Sequence, residues 1–288
     1  MKSKSSASPP FSFRQFNKVI FGIELLYALG RRVSEATVSQ ACEFLIQEAS
    51  MAFVKTLMSV QAFLRFIPSS RFHAKEVEFA IDLSSASVMA RQVMEDAISF
   101  FYLSQPNLTK EQKEFRQFVW QLHGVTEMID SAAFAKADNP ELSPTGAERD
   151  RLRQRLNDSP FKEMLEAIEQ NRRRNIRRGR ENQVLHDKEI LSRRGIRTDE
   201  TYSLWLKVLS NFAHFSVLVH RMIMETTADW QKSWLLTAAL CVANFGAEAV
   251  EVYLETFPAT RQLLKSDEQA AVANLRSWLR SHSARKRA

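Results

Sequence analysis

Apolar residues return every three or four positions along most of the chain, the spacing that turns one side of an α-helix towards a core. The first such stretch is Phe13 to Leu29, which Gly30 closes. Ser34 with Glu35 opens a second, which reaches Phe66 before Pro68 and the Ser69-Ser70 pair break it. Ala74 to Ser104 is the third, ended by Pro106. Thr109 with Gln112 forms a capping box for a fourth helix that continues towards Ala137, and Pro140 to Gly146 reads as a loop. Ser159 and Pro160 are an N-cap and first-turn pair for a helix to about Ile176, with weaker periodicity after Gly179. Asp199 caps a helix to Met224, and two more follow, Trp230 to Phe257 and Thr260 to Ser281. No internal repeat is visible.

Composition agrees with that pattern. Seven glycines and eight prolines in 288 residues are about half of ordinary usage or less, so the turns that many short strands require are missing. The predicted fold is all-α: a single-domain multi-helix bundle over residues 11–288, preceded by a disordered Ser-rich tail at 1–10 and carrying an Arg-rich helical insert at about 148–197. Cys42 and Cys241 lie in apolar helical patterns without metal or redox spacing, which predicts two reduced, buried thiols in a cytoplasmic protein. No apolar run precedes Phe11, and the most apolar stretch, Trp234 to Ala247, is interrupted by Asn244 and met by Glu248. It falls short of the ~20 residues a bilayer span needs and reads as a buried helix.

Charge changes the picture in one place. Arg149 to Arg197 holds 15 Lys/Arg against 8 Asp/Glu, which leaves 25 of each sign elsewhere, so the whole net +7 sits in this segment. It is densest at Arg172, Arg173, Arg174, Arg177, Arg178 and Arg180. Such a cluster suits phosphate contacts with RNA, DNA or an anionic lipid surface. The competing expectation is a solvated face in which these arginines pair with Glu163, Glu166 and Glu169 one turn earlier.

A candidate site comes from two helices. On the third, Arg91, Glu95 and Tyr102 fall within a narrow arc at the rim of the apolar face, bordered by Met94, Ile98 and Phe101 on one side and by Gln92 and Asp96 on the other. The helix after Asp199 is apolar almost all round, and its thin polar stripe holds Ser203, Lys207, Ser210, His214 and Arg221. If His214 faces Arg91 and Glu95 across a cleft, carboxylate and imidazole orient one another as an acid/base pair and Arg91 holds an anionic group. The plainer expectation is a narrow solvent face.

The segment Ala90-Arg91-Gln92-Val93-Met94-Glu95 through Phe101-Tyr102-Leu103, followed by Tyr202 and then Leu209-Ser210-Asn211-Phe212-Ala213-His214, resembles the bacterial helical domain-of-unknown-function family 5677. The likeness covers roughly Ser59 to Val250, and the long Arg-rich insert departs from the family pattern. It implies a fold and a site at Arg91, Glu95, Tyr102, Ser210 and His214, but no reaction. A second likeness is to the HEPN ribonucleases, whose signature is an Arg followed four to six residues later by a His on one helix. Arg180 and His186, with five residues between them, match that spacing. The resemblance implies an Arg that stabilises phosphate charge and a His that acts on a ribose hydroxyl or leaving oxygen.

There is no Gly-rich phosphate loop, no H-E-x-x-H, no G-x-S-x-G and no carboxylate cluster suited to two metals. Neither a metal nor another cofactor is expected. Two functions remain open: a nucleic-acid-associated protein, as a defence or toxin-type ribonuclease, or a non-catalytic interaction or homo-oligomerisation protein whose polar stripe is structural.

Overall fold

The computed structural model describes residues 13–38, 40, 42–73, 83–134, 142–196, 202–213 and 228–281. Among them the regular elements are helices, as predicted, and no strand occurs. In chain order these are α1 (Phe13–Glu35), α2 (Phe44–Arg65), α3 (Leu83–Leu103), α4 (Lys110–Phe134), α5 (Leu142–Arg155), α6 (Phe161–Glu166), α7 (Gln170–Arg177), α8 (Asp187–Arg193), α9 (Ser203–Ala213), α10 (Ala228–Thr256), a 3₁₀ turn (Pro258–Leu263) and α11 (Ser266–Ser281). They gather in two compact units. The first takes the chain before Cys42, Ser50–Phe100 and the chain after Ile196; the second takes Cys42–Ala49 and Phe101–Ile196. The basic stretch expected as an insert is therefore part of a larger unit that includes α4.

In the first unit α10 is the central helix, packed against α1, α9, the 3₁₀ turn and α11. It is long and apolar enough to cross a membrane, but 72% of its apolar window is buried inside the fold. Tyr253 of α10 stacks on Phe53 at 4.1 Å between ring centres and lies near Phe257 at 4.8 Å. Its hydroxyl bonds Ser50 Oγ at 3.2 Å and also Thr37 Oγ1, so the polar end of this buried ring is satisfied. Glu248, only 3% exposed, receives Nε–H of Arg276 at 2.9 Å, which keeps a buried carboxylate paired. Burial pushes the Cys241 thiol above its ordinary range, whereas Cys42 is half-buried and lies outside any helix.

Gly30 does not end α1, which continues to Glu35. A Cβ at Gly30 would lie 2.5 Å from Leu57 Cδ2, so this glycine lets α1 and α2 approach closely. Ser34 and Glu35 consequently finish a helix where the sequence pattern had them start one.

The second unit has its own core of Phe115, Val119, Leu122, Leu152, Leu156, Phe161, Leu165 and Ile176. Phe161 is met edge-on by Phe118 at 5.2 Å, and the Arg155 guanidinium lies over both rings at 5.7 Å. The Thr109–Gln112 capping box forms in both directions, at 3.0 and 3.2 Å. Residues 142–146, expected as loop, are already helical: Pro144 sits in the first turn of α5, where no N–H is required. The single helix expected over Pro160 to Ile176 is two, α6 and α7, and Glu169 caps the second.

α7 and α8 end in the same way. Gly179 (φ +72°) donates to Ile176 O and Arg180 N to Asn175 O; Gly195 (φ +68°) donates to Ser192 O and Ile196 N to Leu191 O. Both are Schellman caps, which need a left-handed residue. They differ in surroundings: a Cβ at Gly195 would meet nothing within 4 Å, whereas one at Gly179 would overlap Thr126 Oγ1 and lie 2.7 Å from Thr126 Cβ. Gly195→Ala is expected to cost about 1 kcal/mol, the left-handed penalty alone. Gly179→Ala should cost a further ~1–3 kcal/mol for overpacking against α4. Urea unfolding of the two variants measures this, and equal losses would show that the close approach at Gly179 contributes nothing.

Candidate nucleic-acid interface

α7 begins at a carboxylate. Glu169 accepts from Asn171 N–H at 3.0 Å and Arg172 N–H at 3.2 Å, and these two backbone donors hold its carboxyl below the usual range. One apolar residue, Ile176, is buried and sets the helix against the core. At about 100° per residue, Arg172 lies within some 40° of Ile176, while Arg174, Arg177 and Arg178 fall in an arc on the opposite side. Those three and Arg180 are exposed.

The six arginines thus divide. The Arg172 side chain is only 12% exposed: Nη1 donates to Gln183 O at 3.2 Å and also to Leu185 O, and Nη2 bonds His186 Nδ1 at 2.9 Å. Arg173 donates to Glu166 O at 3.1 Å. Both tie α7 to segments on either side. Arg174 reaches only Asn171 Oδ1, at 3.2 Å. Among the described residues no carboxylate lies within ion-pair distance of Arg174, Arg177, Arg178 or Arg180. The alternative of pairing with the preceding glutamates is not realised: Glu163 accepts from Ser159 Oγ, the Glu166 carbonyl takes Arg173, and Glu169 caps the helix.

The Arg180–His186 pair does not share a helix. The cap at Gly179 ends α7 before Arg180, and His186 is the N-cap residue of α8, bonded to Arg172 instead. Val184 N–H donates to Tyr102 Oη at 3.2 Å, so the connecting loop is pinned by Tyr102 as well as by Arg172.

Of the other site candidates, Arg91 Nε donates to Glu95 Oε1 at 2.7 Å, a half-buried pair in the first unit. Beside it is a carboxylate that periodicity placed on the rim: Asp96 is 4% exposed and takes Ser59 Oγ and Gln92 Nε2, each at 2.8 Å, with Lys55 Nζ at 3.1 Å. Ser210 Oγ donates to Leu206 O of its own helix at 2.5 Å. Among the described residues no hydrogen bond or ion pair links Ser210 to Arg91 or Glu95, and His214 lies outside the described residues. Tyr102 belongs to the second unit and is fully buried. Burial pushes its phenol up to about 12, although the Arg116 guanidinium lies 4.4 Å over its ring. Among the described residues no group of three metal-binding side chains occurs. Comparison with known protein families, curated proteins and solved structures returns no match.

Arg116 is a residue that sequence reasoning missed. A lone Arg in an amphipathic helix reads as surface, yet this one is 4% exposed. The only signal was its position one residue after the buried Phe115 and three before Val119.

The state of Tyr102 gives a pH test. Below its ordinary value of 10, folded and unfolded chains both keep the phenol protonated. Between pH 10 and about 12 only the unfolded chain ionises, so stability falls as pH rises, by about 2–3 kcal/mol over that window. Tyr102→Phe is expected to cost about 1 kcal/mol at pH 7, for the donor left at Val184, and to lose this part of the alkaline decline. Urea unfolding at pH 8 and pH 11 checks both effects, since the other tyrosines cancel in the comparison; an unchanged decline would contradict the burial of the phenol.

Proposed function

We propose that the protein binds nucleic acid through its phosphate backbone, using Arg174, Arg177, Arg178 and Arg180 as the contact surface. The observation that carries this reading is the absence of acidic partners for these four exposed guanidinia among the described residues, on α7 and the cap that follows it, whose register is fixed by Glu169, Arg172 and Gly179. Exposed guanidinia without acidic partners keep their full charge for phosphate oxygens, to which they donate bidentately. Contacts of this kind give affinity without base recognition, so the reading is of binding with little sequence preference.

The reading is of binding rather than cleavage because the described candidates for chemistry are engaged with one another or with their own helices. Arg91 is bonded to Glu95, Ser210 to Leu206 and Tyr102 to Val184. A ribonuclease acting through Arg91, Glu95, Ser210 and His214 would depend on His214. On the binding reading neither the wild type nor His214→Ala degrades RNA, and a wild-type cleavage activity removed by that substitution would replace the binding reading with the catalytic one.

Replacing Arg174, Arg177, Arg178 and Arg180 together by Ala should weaken binding to a 20-nucleotide RNA. It should also reduce the slope of log affinity against log salt by up to about 3, at ~0.7 per lost phosphate contact on a single strand. The melting temperature should be unchanged, since none of the four touches the core. Fluorescence anisotropy across a salt series measures the slope. Absence of wild-type binding, or a variant with the wild-type slope, would remove nucleic acid as the partner.

A further inference from the structure

A cavity of about 390 Å³ opens in the second unit between the α3–α4 connection, α4, α6 and the α7–α8 loop. Its apolar wall is Phe115, Met164, Ile168, Val184 and Leu185; its polar wall is Gln105, Asn107, Gln112, Arg116 and Arg193. No carboxylate lines it. A neighbouring cavity of about 350 Å³ shares Gln105, Asn107 and Arg193 and adds Arg194.

The unusual member of this lining is Arg116. It is 4% exposed, and its guanidinium is met by neutral groups: the Tyr102 carbonyl at 2.7 Å, Gln105 Oε1 at 2.6 Å and the face of the Tyr102 ring. Among the described residues no carboxylate lies within ion-pair distance of it. A cation removed from water without a counter-ion is destabilising, and the desolvation is felt as a pKa below the ordinary arginine value. Arg193, the second guanidinium of the cavity, is half-exposed and bridges to Glu189 at 2.7 Å. The cavity wall therefore carries two positive charges against one neighbouring negative charge, beside a surface of thioether, aromatic and aliphatic carbon.

We infer that this cleft binds a small organic anion, a phosphate or carboxylate group on an apolar body no larger than a mononucleotide, with the anionic group held by Arg116 and Arg193. The ligand supplies the counter-charge that the fold leaves out. Its body rests on Met164, Ile168, Val184 and Leu185, and the amides of Gln105, Asn107 and Gln112 offer both donors and acceptors to polar edges. Guanidinia recognise phosphate and carboxylate by the same two-pronged geometry. The cavity's size falls in the usual range for small-molecule sites, about 300–1,000 Å³. The inference is independent of the nucleic-acid reading, because no residue of the exposed arginine face lines the cavity.

Isothermal titration of the full chain with adenosine 5′-monophosphate and with octanoate tests the two sources of the anion. Adenosine, octanol and inorganic phosphate serve as controls. At least one of the two anions is expected to bind, with its uncharged analogue at least about tenfold weaker, and inorganic phosphate weaker than the organic phosphate. Arg193→Gln, at an exposed position, should keep the wild-type melting temperature while lowering affinity about tenfold or more. Arg116→Gln is read by the ligand-induced rise in melting temperature, which should vanish even where the variant itself is less stable. The four-alanine variant of the α7 face should bind the anion as the wild type does. Binding of neither anion, equal binding of the uncharged analogues, or undiminished affinity in Arg193→Gln would overturn the inference.

Discussion

Arg172 carries its guanidinium under the loop between α7 and α8 and there donates to the carbonyls of Gln183 and Leu185 while bonding the ring of His186. Glu181 Oε2, at 3.9 Å, supplies a nearby negative charge. Hydrogen bonds from a charged donor contribute ~1.5–3 kcal/mol each, and here they stand in for the regular hydrogen bonding that residues 180–186, which form no helix, do not provide. The loop is held from the other side by Tyr102, whose hydroxyl accepts from Val184 N–H. His123 Nδ1 meets Gly179 O at 2.9 Å where the loop starts.

Two consequences for function follow from this fixed loop. Because Arg172 and Ile176 face inward together, the rotation of α7 is determined, and Arg174, Arg177 and Arg178 must face solvent. Because Val184 and Leu185 are held in place, they form one wall of the cleft that Arg116 and Arg193 line from the other sides. The same short stretch thereby separates arginines that build the unit from arginines that are available to a partner. A cluster that looks uniform in sequence has two physical roles, set by which guanidinia meet backbone carbonyls.

The helical class, the capping box at Thr109–Gln112 and the long buried helix α10 were legible because local chemistry and the 3.6-residue period decide them. Gly30 was misleading since a glycine near a helix end reads as a cap, whereas its cause is Leu57 on another helix, far away in sequence. The break between α6 and α7 was hidden because Glu169 is no usual N-cap residue. In the charged segment the sequence located the basic surface but could not divide it, because the acceptors that engage Arg172 and Arg173 are backbone carbonyls of residues up to 13 positions away. Arg116 was invisible for a similar reason: its partners are a carbonyl and an amide, neither of which leaves a charge pattern. The contact of Tyr102 with Val184 N–H was likewise hidden, since the two residues lie 82 positions apart along the chain.

Thermal unfolding of Arg172→Gln beside Arg178→Gln tests most directly whether Arg172 is a structural strut while Arg174, Arg177 and Arg178 face solvent without acidic partners. Both substitutions remove one positive charge from the same helix, so any effect of net charge is shared. Arg172→Gln is expected to lower the melting temperature by about 4 °C or more, at ~2–4 °C per kcal/mol for a chain of this size, and Arg178→Gln to leave it within about 1 °C, as expected for a surface position. Equal shifts in the two variants would contradict the division of the arginine cluster.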